Sequence, residues 1–152
     1  METTLQDIAE RNRSSLERLR TIGSALSDAE LNRTIDPPWT TAALFAHIAF
    51  WDRFVLERWR LTAENGDRTP VPEDNVVMDR INDASLRQWL AIPARTAVEE
   101  LLAAAAELEE LISRLDATIV SELVVEGRER LVDRSLHRGD HLRTIEAAFP
   151  SA

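Results

Sequence analysis

Apolar residues recur every three or four positions over long stretches of this chain, and that spacing most limits what it can fold into. Leu5, Ile8, Leu16, Leu19, Ile22 and Leu26 form one such series, which predicts a helix over roughly residues 4–26. Leu44, Ile48, Trp51, Val55 and Trp59 form a second, in a helix running from Thr40 to about Glu64. Val98, Leu101, Ala105, Leu108, Ile112 and Leu115 form a third, after Pro93. A final helix is expected over roughly residues 129–148. Each helix carries an apolar stripe that it cannot bury alone, so the expected fold is all-α, a bundle in one domain over residues 1–152.

The boundaries have signals of their own. Thr3 with Gln6, Ser27 with Glu30, and Thr96 with Glu99 have the form of capping boxes. Pro37 and Pro38 in "DPPW" break the chain, and Thr40 follows as an N-cap. Residues 65–75, with Gly66, Pro70 and Pro72, read as a loop between two halves of the bundle. A shorter helix is expected within "MDRINDASLRQWL". "DATIVSELVVEG" is open between helix and a brief extended piece, and no convincing partner strand exists for it.

Composition narrows function. Acids outnumber bases 27 to 18, a net charge of −9, which argues against binding a phosphate backbone. Every basic residue is arginine. No run of 18 apolar residues is present, so no spanning helix is expected. The start of the chain lacks the basic-then-apolar pattern of a signal peptide, which fits a cytoplasmic protein. With no cysteine, a metal would have to be held by nitrogen and oxygen, and cysteine nucleophiles are excluded. Only four glycines are present, and none forms a phosphate-cradling loop.

The three histidines carry the chemistry. His137 and His141 are four residues apart in "SLHRGDHLR", a spacing that puts both on one side of a helix. His47, ninety positions upstream of His137, falls on the apolar stripe of its helix and should point inward. Three imidazoles from two helices would cover one side of an ion and leave the other side for water or substrate. The competing reading is an ordinary pair on a solvated face and a hydrogen-bonded core histidine. Gly139, between the paired histidines, suggests a close backbone approach, or simply a kink or a late helix start. "HRGDH" is not the zincin motif, since Arg138 stands where that motif has its glutamate. Trp51 is a candidate wall of the site or plain core, and Trp39 a candidate anchor for the preceding loop. Asn82 is expected either to reach the site or to cap a helix. Asp140 adjoins His141 and Asp52 lies five positions after His47, spacings that turn both away from the imidazoles on a helix and count against them as acceptors for the rings.

"PWTTAALFAHIAFWDRF" resembles the second-helix signature of the DinB/YfiT-like superfamily, with Trp39, Thr40, His47 and Trp51 at the matching places. "HRGDHLRTI" resembles the last-helix segment of the same group. The stretch from "RIND" to "ISRL" is similar to the neighbouring mycothiol-dependent maleylpyruvate isomerase N-domain group. That group has glutamate at the first position of the last-helix pair, where this chain has His137, closer to the all-histidine DinB type. The resemblance implies a four-helix, up-down-down-up bundle, a divalent metal (zinc or nickel) on His47, His137 and His141, and a homodimer. It also implies a small-molecule substrate and thiol-dependent transferase or isomerase chemistry, with mycothiol or bacillithiol as cosubstrate, or a bound water used instead. The alternative is a helical bundle that binds or sequesters a small molecule without reacting it.

Overall fold

The computed structural model describes residues 3–68 and 74–152; Pro70 and Pro72 of the expected loop lie outside them. The helices are α1 (Leu5–Ala25), α2 (Asp28–Leu31), α3 (Thr41–Asn65), α4 (Asn75–Ala91), α5 (Ala94–Ile112), α6 (Ala117–Val125) and α7 (Arg134–Ala148). A 3-10 turn, Glu129–Leu131, precedes α7. Two short strands, β1 (Thr34–Asp36) and β2 (Trp39–Thr40), pair antiparallel across Pro37 and Pro38. The fold is all-α apart from this ladder, which the apolar spacing does not predict. α3 packs along α5 and against α7, and α1 packs against α5 and α7, so these four helices close a ring, with α4 laid against α3. Among the described residues no helix is long and apolar enough to cross a membrane.

The caps explain where helices start, and they correct two expectations. Thr4, not Thr3, caps α1: its hydroxyl accepts from the Asp7 amide at 3.1 Å, and the Asp7 carboxylate accepts from the Thr4 amide at 2.9 Å. An ionised carboxylate in the first turn is a stronger acceptor than the Gln6 amide and also complements the helix dipole. Ser27 and Glu30 form their box as expected, although it opens only a four-residue helix. Thr40 caps α3 by accepting from the Ala43 amide at 3.0 Å. Gly66, at φ +73°, ends it, a left-handed position where a Cβ would be strained. α5 starts at Ala94, directly after Pro93, with no side-chain cap; Thr96 is already inside the helix, so the Thr96–Glu99 box does not form.

Two further elements differ from expectation, and a third, left open, folds as one of its two alternatives. Asp74 caps α4 by accepting from the Val76 and Val77 amides, so this helix starts earlier than "MDRIND" suggests. Asn82 is consequently mid-helix and caps nothing. "DATIVSELVVEG" folds as helix α6, capped by Asp116 and burying Val120 and Leu123; without a partner strand its β-branched residues go helical. The final helix begins at Arg134 rather than near residue 129, because the 3-10 turn takes up the first residues.

The core has two apolar clusters with charge between them. One holds Leu19, Ile22, Phe45, Ile48, Leu101 and Ile145, among others. The other holds Ile8, Val55, Trp59, Leu108 and Ile112. Between them α1 contributes Asn12 and Ser15, α3 Asp52, and α7 Arg134 and Arg138, all buried. The Asp52 carboxylate accepts from Arg134 Nε at 2.8 Å and from Arg138 Nη2 at 2.9 Å. Arg138 Nη1 also donates to Glu109 at 2.6 Å and to the Asn12 carbonyl at 3.0 Å.

Two glycines make opposite demands. A Cβ at Gly23 would sit 2.8 Å from Val98 Cγ1, so α1 and α5 touch there only because the side chain is missing. At Gly139 the nearest group to such a Cβ is Arg143 Nη1, at 3.8 Å, so the expected close backbone approach does not exist. Gly139→Ala is therefore expected to stabilise the protein by about 1 kcal/mol through helix propensity. Gly23→Ala is expected to cost about 1–2 kcal/mol despite the same propensity gain, because a stiff valine must give way. Urea denaturation of both variants reads the two signs; equal shifts would contradict the packing.

Candidate metal centre

His47 lies two turns into α3, where the Thr40 cap and the buried run from Thr41 to Ala49 fix the helix against its neighbours. It is 4% exposed and faces inward, as its place on the stripe requires. His137 and His141 are half-buried, one turn apart on α7. The fold brings all three together. His47 Nε2 is 3.1 Å from His137 Nε2, and His141 Nε2 is 3.2 Å from the same atom. One candidate ligand atom from each ring lies within 4.8 Å of the other two.

Those two contacts cannot both be ordinary hydrogen bonds. An sp² ring nitrogen has one proton or one lone pair in its plane, so His137 Nε2 can serve one neighbour well and not two. A shared cation satisfies all three lone pairs at once. The spacing suits one: nitrogens about 2.0–2.1 Å from an ion are about 2.9 Å apart at a right angle and about 3.4 Å apart at the tetrahedral angle.

Aromatic rings wall the cluster. Trp39 and Trp89 meet the His47 ring edge-on, with centroids 5.4 and 5.1 Å away, and Phe50 backs Trp89 at 5.6 Å. Trp39 therefore does more than anchor the loop. Trp51 is only half-buried and stands beside the site, not in its wall. It packs on Phe50 and Phe54, and its Nε1 donates to Asn82 Oδ1 at 2.9 Å. Asn82 reaches Trp51, with no contact to the histidines. Asp52 and Asp140 do not accept from the imidazoles either. Asp140 pairs with Arg130 and Arg143, while Asp52 holds Arg134, whose Nη2 is 3.3 Å from His137 Nδ1. Sequence reasoning missed Trp89 and Arg134. The signal for Arg134 was present, since residues 134, 137, 138 and 141 share one helix face.

The surroundings keep the rings neutral. Burial pushes His47 down from 6.5 to about 3, helped by His141 and Arg134. Burial also takes His137 well below the usual range, with Arg134 the next cause. His141 is lowered by burial against an opposing pull from Asp140. Neutral imidazole is the form that ligates metal. In metal-free protein the unfolded chain takes up protons on these histidines below about pH 6.5, while the folded chain resists. Stability is thus full above that pH and falls as pH drops toward the folded-state values. The expected slope is roughly 1.4 kcal/mol per pH unit for each histidine held neutral. Urea titrations of chelator-treated protein between about pH 7 and pH 5 measure it, a window above most carboxylate titration. A flat profile would contradict the burial of the rings.

The family model for the DinB superfamily matches residues 11–145. The chain belongs to the DinB superfamily. No curated protein and no solved structure matches it. All three histidines of this DinB-superfamily chain fall inside the matched span, as do Trp39, Trp89 and the buried charges that flank α7.

Proposed function

We propose that His47, His137 and His141 hold a divalent transition metal, zinc or nickel, and that the site activates a low-molecular-weight thiol or water for group transfer. The observation that carries this reading is the convergence of two imidazole nitrogens on His137 Nε2, at 3.1 and 3.2 Å. Neutral lone pairs meeting without enough protons to share are a ligand set. A divalent ion supplies Lewis acidity there, holding a thiol as thiolate or lowering the pKa of a bound water toward about 7.

The protein's own residues do the rest. The histidines act as ligands and not as proton carriers, since burial keeps them neutral. Trp39 and Trp89 shield His47 from water and give the site an apolar wall. Three neutral ligands leave the full charge of the ion to act on an anionic nucleophile. Mycothiol or bacillithiol fits the thiol role and a small electrophile the acceptor role.

A groove between α3, α4 and α5 favours a second reading, of binding without reaction. It measures 1020 Å³, is lined by Phe50, Phe54, Leu61, Trp89 and Ile92, and shares Trp89 with the wall of the histidine cluster. One experiment separates the two. Untagged protein is expected to carry about one ion per chain, and His137→Ala much less than one. Metal-loaded protein given mycothiol or bacillithiol and an electrophilic acceptor is expected to form conjugate above the His137→Ala background. Metal without conjugate would leave the binding reading; no metal would remove the activation chemistry altogether.

A further inference from the structure

We propose that Arg134 tunes the histidine centre, setting a fixed positive charge and a hydrogen-bond donor against the outer nitrogen of His137 so that metal is held less tightly than three histidines alone would hold it. The inference rests on the metal reading above and adds a residue that acts through a ligand.

Metal-bound histidines generally donate their outer N–H to a carboxylate or carbonyl, which makes the ring a stronger ligand. Here the polarity is reversed. A guanidinium has donors and no acceptor. Arg134 Nη2 faces His137 Nδ1 at 3.3 Å, while Nε donates to Asp52 Oδ1 at 2.8 Å and Nη1 to the Arg130 carbonyl at 2.7 Å. Those two bonds lock the group in place, with Arg134 only 5% exposed and Asp52 fully buried. The carboxylate that would ordinarily support the histidine stands one residue behind, with the arginine between them. Asp52 also serves Arg138, so its charge is shared between two guanidiniums. His47 gains no compensating support, since its Nδ1 has no hydrogen-bond partner among the described residues. A neutral His137 that ligates through Nε2 carries its proton on Nδ1, so the guanidinium faces it donor to donor, with a fixed positive charge and no acceptor, which weakens ligation and leaves the ion more electrophilic.

The test is zinc affinity by chelator competition on full-length, untagged protein, with no activity assay required. Arg134→Met and Arg134→Gln, which remove the charge, are expected to bind zinc about tenfold more tightly than wild type. Arg134→Lys, which keeps it, is expected to stay within about twofold. Loss of structure can only loosen binding, so tightening separates tuning from damage, and circular dichroism checks each fold. If Arg134→Met does not fold, the contrast between glutamine and lysine decides. Wild type that binds zinc while the neutral variants bind equally or more weakly overturns the inference alone. Wild type that takes up no zinc removes the metal reading and this inference with it.

Discussion

Asp52→Ala is expected to lower the unfolding free energy by about 3–5 kcal/mol, because it leaves buried Arg134 with no carboxylate and buried Arg138 with Glu109 alone. Arg134 and Arg138 are 5% and 0% exposed; both pair with this carboxylate, and Arg138 has a second in Glu109. Arginine does not shed its proton to escape burial, so the loss cannot be relieved by neutralisation. In a chain of this size that corresponds to a fall of roughly 10 °C in melting temperature. Glu146→Ala breaks the pair with Arg18 at positions 47% and 36% exposed, and should cost less than about 1 kcal/mol. Removing the stranded charges along with their partner, as in Asp52→Ala with Arg134→Met and Arg138→Met, should recover much of the loss. Thermal and urea denaturation measure all three. A penalty for Asp52→Ala no larger than that of the surface pair would contradict the burial.

Zinc is expected to stabilise the protein by about 4 kcal/mol when its free concentration is about a thousand times the dissociation constant. The gain comes from ligand atoms that the unfolded chain does not hold together, His47 lying ninety positions from His137. His47→Ala and His137→Ala should each lose most of that gain, while their melting temperatures in chelator stay closer to wild type's. The comparison of interest is therefore the shift caused by zinc and not the absolute melting temperature. Equal zinc shifts in wild type and both variants would mean that the ion binds elsewhere.

The long helices were legible because their stripes are long. α1, α3 and α5 each present an apolar face over several turns, and the inward position of His47 follows from its place on the second stripe. Less was legible where several residues compete for the same local role. Asp7 outbids Gln6 as partner of the first cap, and Pro93 starts α5 before Thr96 can cap it. The pairing of His137 and His141 was visible in spacing, whereas their meeting with His47 depends on how α7 lies against α3. Arg134 and Arg138 were hidden because charged residues are ordinarily assigned to solvent. Yet Arg134, His137, Arg138, His141 and Ile145 follow the spacing that apolar residues keep in the other helices. A helix whose inward positions are filled by charge calls for a buried counterion, and Asp52, four positions after Ile48 on the α3 stripe, supplies it.

That makes α7 a keyed element. An apolar seam tolerates small slippage, since one methyl group replaces another at little loss. A guanidinium that moved one turn, about 5.4 Å, along the bundle would leave its carboxylate and gain nothing. The ionic lock therefore fixes both the height and the rotation of α7, and with them the aim of two of the three imidazoles.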